Sequence, residues 1–422
     1  MWILYQIAVI LVLLLAGPVL LLLRGRHYWA SLSSRFGLAD LDSTGESPLW
    51  IHAVSVGEAG VAKTLIEALP AGQAILVSTV TPTGQAQAAG LERAHYGTAY
   101  LPFELGWPIR RFLDRIGPSG LVLCEGDYWP LLLRHVKRRG LPVAVINGRV
   151  GDRSFRRMRR LRPLLGPLLG RIDTFGMQTE DDRERLIELG VEPERVRVTG
   201  NMKFDAPAPV RDADLEARLS TLAAGRPVLI AGSTMPGEEE AVLEAFGAAG
   251  GGEAALLILA PRHPERWDGV ADLAESSGHR LLRRSDLDGG HSPDIVLLDS
   301  MGELAGLYAV CRGAFIGGTL VPTGGHNPLE PARFGVAISV GPSMHNFRAM
   351  AEQFGRAEAW EQVTDASGLA EVWTRWIADD EAARRLGGRA EALVERNRGA
   401  LQRTLELLAP VLEDSATHEA PA

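Results

Sequence analysis

The sequence predicts an α/β protein with two Rossmann-like domains, and three observations carry that expectation. Apolar strand-like runs at 49–54, 74–79, 120–124 and 143–147 alternate with helical patterns such as 61–69 and 84–94. A parallel sheet with crossover helices reads this way. The rhythm restarts at 227–231 and runs through 254–260, 295–298, 313–316 and 336–340, again with helices between. Between the two series, 201–226 is polar and proline-punctuated around 206–209, with a short helical stretch at 215–222, which suits an interdomain linker. A length of 422 residues with 46% hydrophobic content is enough for two cores. The expected division is an apolar segment at 1–24, a first domain at 25–206, a linker at 207–226, a second domain at 227–378, helices at 379–412 and a flexible polar tail at 413–422.

The N-terminus departs from a soluble pattern. Trp2 to Leu23 carries no charge and then meets Arg24, Arg26 and His27, with Tyr28 and Trp29 beside them. Roughly 20 apolar residues span a bilayer core, so the expectation is an uncleaved transmembrane anchor, with a buried core helix as the alternative. Positive charge just after it places the remaining chain on the cytoplasmic side. The formal charge of -8 argues against general nucleic-acid binding, yet it hides a basic stretch. Arg153, Arg156, Arg157, Arg159 and Arg160 precede the apolar run Leu161 to Leu169, and Arg162 stands at its start. Such a helix suits anionic lipid headgroups or lipid phosphates, and an ordinary solvated helix reads the same. The two cysteines, Cys124 and Cys311, lie in apolar runs far apart, which excludes a disulfide framework or a cysteine metal site.

Chemistry clusters at the expected strand ends. Ser55, Gly57 and Glu58 follow the first strand and precede a helix, where Glu58 suits a general base or, equally locally, a capping carboxylate. Glu125 and Asp127 follow another strand, and acids there are rarely for packing. Lys203, within 200–205, supplies a cation able to meet developing negative charge. In the second half, Ser233 and Thr234 follow one strand and Arg262 the next, the latter suited to phosphate through its planar fork. Asp299 to Leu304 follows a further strand and opens a helix, offering free N–H groups to an anion. The segment 324–331, Gly-Gly-His-Asn-Pro-Leu-Glu-Pro, joins backbone freedom to a positioned carboxylate, so Glu330 is a candidate nucleotide ligand. It follows an apolar run at 313–321 that reads as a buried strand. Asp286-Leu287-Asp288 has the letters of a metal-binding Asp-x-Asp but stands in a polar, glycine-rich loop, and no metal site is expected.

Six ordered segments, HAVSVGE at 52–58, TPTG at 81–84, GNMKFD at 200–205, PRHPER at 261–266, DSMGEL at 299–304 and GGHNPLEP at 324–331, give a specific resemblance. The chain, to about Phe347, resembles the 3-deoxy-D-manno-octulosonic acid (Kdo) transferases of lipopolysaccharide synthesis. The resemblance implies a GT-B glycosyltransferase with two Rossmann-like domains facing a cleft, held at the inner membrane by its N-terminal helix with the catalytic domains on the cytoplasmic side. The implied donor is CMP-Kdo and the implied acceptor a lipid IVA-like lipid A precursor. Transfer proceeds with inversion, without a metal and without a cofactor beyond the donor. By the same resemblance Glu58 is the general base, and Glu125 and Lys203 support the transition state. Pro261, Arg262, Met301, Gly302, Glu303, Asn327, Pro328, Leu329 and Glu330 hold CMP. Inner-membrane lipids are implied partners, and nucleic acid is not.

Departures from the family pattern fall at Gly126 to Leu131, where the family reads Thr-Glu-Leu-Trp-Pro-Asn, at Gly151 in place of Ser, and at Met235 in place of His. They touch the acceptor side more than the donor side. Two rival readings follow: a membrane-associated GT-B transferase using another nucleotide sugar, or a catalytically silent, membrane-tethered binding protein that kept the fold.

Overall fold

The computed structural model describes residues 2–24, 26–38, 47–90, 95–287 and 292–417. The chain forms two compact units, 1–207 with 397–422, and 208–396. Each is built on a seven-stranded sheet whose pairings are all parallel.

The first unit contains β1 (Leu49–His52), β2 (Ile75–Thr79), β3 (Tyr96–Tyr100), β4 (Gly120–Cys124), β5 (Val143–Gly148), β6 (Thr174–Met177) and β7 (Val196–Val198). Their order is β3-β2-β1-β4-β5-β6-β7, so the winding direction reverses between β1 and β4. In open α/β sheets a crevice outside the carboxyl ends opens at such a reversal. Successive side chains of a strand point to opposite faces, and the core divides accordingly. Trp50 packs with Phe112, Leu133 and Leu169 on one face, while Leu49 and Ile51 pack with Val61, Leu65 and Leu408 on the other.

The second unit contains β8 (Val228–Thr234), β9 (Leu256–Pro261), β10 (Leu281–Arg283), β11 (Ile295–Leu297), β12 (Gly313–Ile316), β13 (Ala337–Val340) and β14 (Glu361–Gln362). The order β10-β11-β9-β8-β12-β13-β14 places its reversal between β8 and β12. Phe315, Trp373 and Trp376 fill one face, and Ile230, Ile258 and Tyr308 the other.

Several boundaries differ from the sequence expectation for physical reasons. The run read as a strand over 313–321 pairs only to Ile316, because Gly317 turns against the end of β8. A Cβ on Gly317 would stand 2.2 Å from the Ser233 carbonyl oxygen. The stretch grouped as C-terminal helices divides: Asp380–Asn397 stays with the second unit and Ala400–Thr417 returns to the first. Asp205 makes that return, its carboxylate accepting the Gly399 and Leu401 amides at 2.7 Å each. The stretch expected as a linker carries helix Ala213–Ala223, whose Leu215, Leu219 and Ala223 are buried with Val228 and Ile230. Of the expected tail, 413–417 continues a helix, and 418–422 lies outside the described residues. Residues 91–94 of the expected helix 84–94, and Asp288 of the Asp-x-Asp letters, also lie outside them.

The transmembrane expectation is not supported. Trp2–Arg24 is one helix, but among the described residues no helix is long and apolar enough to cross a membrane. Its start is docked on the first unit. The Trp2 ring lies under the Arg134 and Arg171 guanidinium groups, 4.7 and 5.7 Å from its centre, and Gln6 Oε1 accepts the Gly106 amide.

Candidate functional site

In the first unit β1 and β4, the strands at the reversal, each deliver a carboxylate. Ser55 caps helix Val56–Ala68. Its hydroxyl accepts the Glu58 amide at 3.4 Å and donates to Glu58 Oε1 at 2.9 Å, while the Val54 amide donates to Oε2 at 2.8 Å. This reciprocal arrangement is a variant of the capping box, with the amide before the cap as the second donor, so the capping geometry anticipated for Glu58 is present. Both oxygens are thereby aimed from a fixed helix end. Burial pushes the Glu58 carboxyl up to about 7, helped by the charges of Glu125 and Asp127 and opposed by the Val54 amide and the Ser55 hydroxyl. A carboxyl poised there takes up a proton readily near neutral pH.

Glu125 follows β4 with φ of 64°, a left-handed conformation uncommon outside glycine. Its Oε1 receives the Lys203 ammonium at 2.9 Å. Lys203 stands on the single turn Met202–Asp205, which Asn201 caps by accepting the Lys203 amide at 3.0 Å. A Cβ built on Gly57 would lie 3.7 Å from Lys203 Nζ and 3.9 Å from Ser55 Oγ, so the cation reaches the start of the Glu58 helix. The structure therefore brings together Glu58, Glu125 and Lys203. Asp127 joins them electrostatically, its own carboxyl raised by burial and then by Glu125.

Behind this cluster lies a buried network. Trp129 Nε1 donates to His52 Nε2 at 3.2 Å, and His52 Nδ1 lies 2.8 Å from Ser78 Oγ, which also accepts the Trp50 indole N–H at 2.7 Å. Burial holds His52 down at about 4, so it is neutral at physiological pH. Leu131, one of the departures from the family pattern, is 1% exposed in the core, and its amide donates to the Glu104 carboxylate.

In the second unit the reversal lies between Ser233, at φ of 58°, and the Gly317–Gly318 turn. Glu238 governs this turn. It is fully buried, and its carboxylate accepts the amides of Met235, Gly318, Thr319 and Leu320 at 2.6 to 2.9 Å. Glu239, 1% exposed, takes both nitrogens of Arg266 at 2.7 and 2.9 Å and the Thr234 hydroxyl at 2.8 Å. Sequence reasoning misses both acids, because three consecutive glutamates at 238–240 read as a solvated helix face. Their nearness to the Gly-Ser-Thr loop is the signal that was available.

Arg262 follows Pro261 at the end of β9 and is exposed. The His326 ring rests on Gly318, where a Cβ would meet its Cδ2 at 3.1 Å. Burial first, then the charges of Arg262 and His263, bring His326 down to about 4, and its Nε2 is buried without a hydrogen-bond partner among the described residues. Asn327 Oδ1 accepts the Leu329 amide at 3.1 Å and its Nδ2 donates to Glu330 Oε1 at 3.2 Å. Pro328 and Leu329 are buried beneath. Burial raises the Glu330 carboxyl, opposed by Asn327, Arg333 and Arg262. Arg262, His326, Asn327 and Glu330 are therefore one electrostatic neighbourhood. Met301, Gly302 and Glu303 lie on the loop after β11. Met301 is 61% exposed, Gly302 has φ of 88°, and Glu303 pairs with both nitrogens of Arg284 and receives the Ser300 hydroxyl. Here the expectation of a helix opening at Asp299 is corrected: the helix is the single turn Leu304–Leu307, and Asp299 instead accepts the Ser285 amide and hydroxyl at 2.9 and 2.7 Å.

Two parallel-sheet α/β units, each with its polar side chains at the topological reversal, resemble the GT-B class of glycosyltransferases. Solved structures agree at the level of fold. A glycosyltransferase from Rickettsia africae matches over 87% of this chain and 99% of its own, with a TM-score of 0.55 at 12% identity. A UDP-GlcNAc 2-epimerase from Neisseria meningitidis matches over 86% and 100%, with a TM-score of 0.54 at 13% identity. Residues 30–206 match the family described as 3-Deoxy-D-manno-octulosonic-acid transferase (kdotransferase). The 3-deoxy-D-manno-octulosonic acid transferase of Haemophilus influenzae is 32% identical over 98% of this chain and 99% of its own. That of Bordetella pertussis is 33% identical over 89% and 90%. The chain belongs to the Kdo transferase family and is a glycosyltransferase.

Proposed function

We propose that this protein transfers Kdo from CMP-Kdo to a sugar hydroxyl of a lipid A precursor, lipid IVA-like, in lipopolysaccharide biosynthesis, with inversion and without a metal. The observation that carries the reading is the Glu58 carboxyl, pushed up to about 7 and fixed at a helix end beside the Glu125–Lys203 pair. Glu58 takes the proton of the acceptor hydroxyl as its oxygen bonds to the anomeric carbon of Kdo. The bond from that carbon to the phosphate oxygen of CMP breaks, and the phosphate leaves with the electron pair. Positive charge grows at the anomeric carbon and negative charge on the phosphate, so carboxylates near the first and a guanidinium near the second lower the barrier. Arg262, with His326, Asn327 and Glu330 around it, supplies the polar groups for the nucleotide in the second unit. One phosphate needs less neutralisation than two, which is the physical argument for chemistry without a metal.

The reading includes a place at the cytoplasmic face of the inner membrane. Exposed apolar residues of the first helix, among them Ile3, Leu4, Leu11 and Leu15, support it, together with exposed Arg153, Arg156, Arg157 and Arg160 on helix Asp152–Arg160. Each cation near an anionic surface contributes on the order of 1 kcal/mol. Liposome flotation of the full chain and of a variant lacking residues 2–24 tests this part.

The test of the transfer is mass spectrometry of lipid A precursor incubated with the purified protein and either CMP-Kdo or UDP-GlcNAc, with and without excess chelator. Addition of Kdo from CMP-Kdo in both conditions is the expected outcome. Loss of turnover in chelator, restored by magnesium, overturns the metal-free step. Addition from the UDP donor alone makes this a transferase of another nucleotide sugar, and CMP binding without any addition makes it a silent binding protein.

A further inference from the structure

We infer that Asn147 is a positioning residue for transfer, fixing the turn that carries Lys203 against the end of the central sheet. The inference rests on the proposed function, because it gives a role to a residue acting on the Glu125–Lys203 pair.

Asn147 lies near the end of β5, is fully buried, and has φ of 52°. Asparagine enters the left-handed region more readily than other residues bearing a Cβ. The conformation turns its side chain to a specific use: Oδ1 accepts the amide of Met202 at 2.9 Å, one residue before Lys203. The Asn147 carbonyl oxygen accepts Gln178 Nε2 at 2.9 Å, so the strand end is held from the neighbouring strand as well. Met202 is fully buried in the cluster that contains Ile51, Val61 and Ala400. The first residue of the turn is therefore immobilised by packing and by Asn147 together, and the second residue delivers its ammonium to Glu125 at 2.9 Å. Three further bonds shape the turn locally, the Asn201 cap on the Lys203 amide and the two by which Asp205 holds the amides of 399 and 401. Asn147 adds the tie to the sheet strand next to β4, the strand that presents Glu125.

A second observation separates this residue from one selected for packing. Asn147 Nδ2 is buried with no hydrogen-bond partner among the described residues. A buried donor left unpaired costs stability, and an apolar residue at this strand position avoids that cost. Asparagine supplies what an apolar residue lacks, an acceptor for Met202 in a left-handed frame. Glycine satisfies the frame without the acceptor, and aspartate keeps the acceptor oxygen.

Those two substitutions make the test. Asn147→Gly is expected to lower kcat about tenfold to a hundredfold while leaving KM for CMP-Kdo within twofold, the pattern of an interaction felt in the transition state. Asn147→Asp is expected to recover most of the loss. In a Lys203→Met background, Asn147→Gly is expected to add nothing further to kcat, because residues acting as a unit are not additive. A reading independent of turnover is carboxyl NMR of 13C-labelled glutamate. Glu58 faces Glu125, Asp127, Cys124 and Lys203. With Lys203 displaced, Glu125 is less compensated, and Glu58 titrates above its wild-type value. An equal fall in kcat in both backgrounds, or an unmoved Glu58 titration in Asn147→Gly, overturns the inference. A moved titration in a protein that transfers no Kdo upholds the placement of Lys203 and rejects the proposed function instead.

Discussion

The two units share a parallel seven-stranded sheet with one reversal of winding, yet the reversals carry opposite chemistry. In the first, Glu125 pairs with Lys203 beside Glu58, and burial, helped by the charges of Glu125 and Asp127, pushes the Glu58 carboxyl up to about 7. In the second, two of the buried acids are consumed internally. Glu238 closes on four backbone amides and Glu239 on Arg266, which leaves Arg262 exposed beside a glycine turn. On the proposed function, the same scaffold offers a proton acceptor in one unit and an exposed guanidinium for the donor phosphate in the other. The difference lies in how fully the buried carboxylates are satisfied: Glu238 holds four amides, while Glu58 holds one amide and one hydroxyl.

The sharpest way to break this contrast is Glu58→Gln. Glutamine at the third helical position keeps a capping box, so the fold persists while the proton acceptor is lost. The expected result is a fall in kcat of about 10²- to 10⁴-fold. Wild-type activity rises with pH through about 7, as Glu58 becomes ionised, and this limb is absent in the variant. Next in size, Glu238→Ala leaves four amides of the glycine turn without their carboxylate. A loss of about 4 kcal/mol in unfolding free energy follows from such unpaired buried groups, measured by urea denaturation, together with loss of CMP binding. Acid affects both units alike. His52 and His326 are each held near 4 by burial, below the ordinary value of about 6.5. Between those values the unfolded chain binds more protons than the native one, so stability is full above pH 6.5 and falls toward pH 4. For His52 the loss is about 3 kcal/mol, and His52→Gln flattens the pH dependence of urea unfolding by that amount. The smallest effect expected is from Arg262→Ala, which weakens CMP binding by calorimetry about thirtyfold, the size of one charge-assisted contact, without altering the titration of Glu58.

Much of the sheet framework was legible before the structure. Central strands β1, β4, β5, β8, β9 and β12 are continuous apolar runs because both their faces are covered, and the polar residues that follow them mark the sheet edge. Edge strands were not legible. Tyr96–Tyr100 has one buried residue and Glu361–Gln362 has none, so neither carries an apolar signal. The roles of Glu238 and Glu239 were hidden because their partners, the amides of 318–320 and Arg266, are distant in sequence. Asn147 was hidden for the same reason: its use depends on a left-handed φ and on Met202, 55 residues away. The anchor expectation rested on apolar length and the basic residues that follow it, and neither reveals that Trp2 and Gln6 dock onto the first unit.

The central claim is that Glu58 takes the proton during transfer, apart from its capping of the helix. The most direct measurement is the single-turnover rate of Kdo transfer to lipid A precursor, followed by mass spectrometry after rapid quenching, for wild type and Glu58→Gln preparations matched in CMP affinity and melting temperature. The account predicts a fall of about 10³-fold in that rate with CMP binding unchanged. A Glu58→Gln rate within a factor of three of wild type would reduce Glu58 to a helix cap and contradict it.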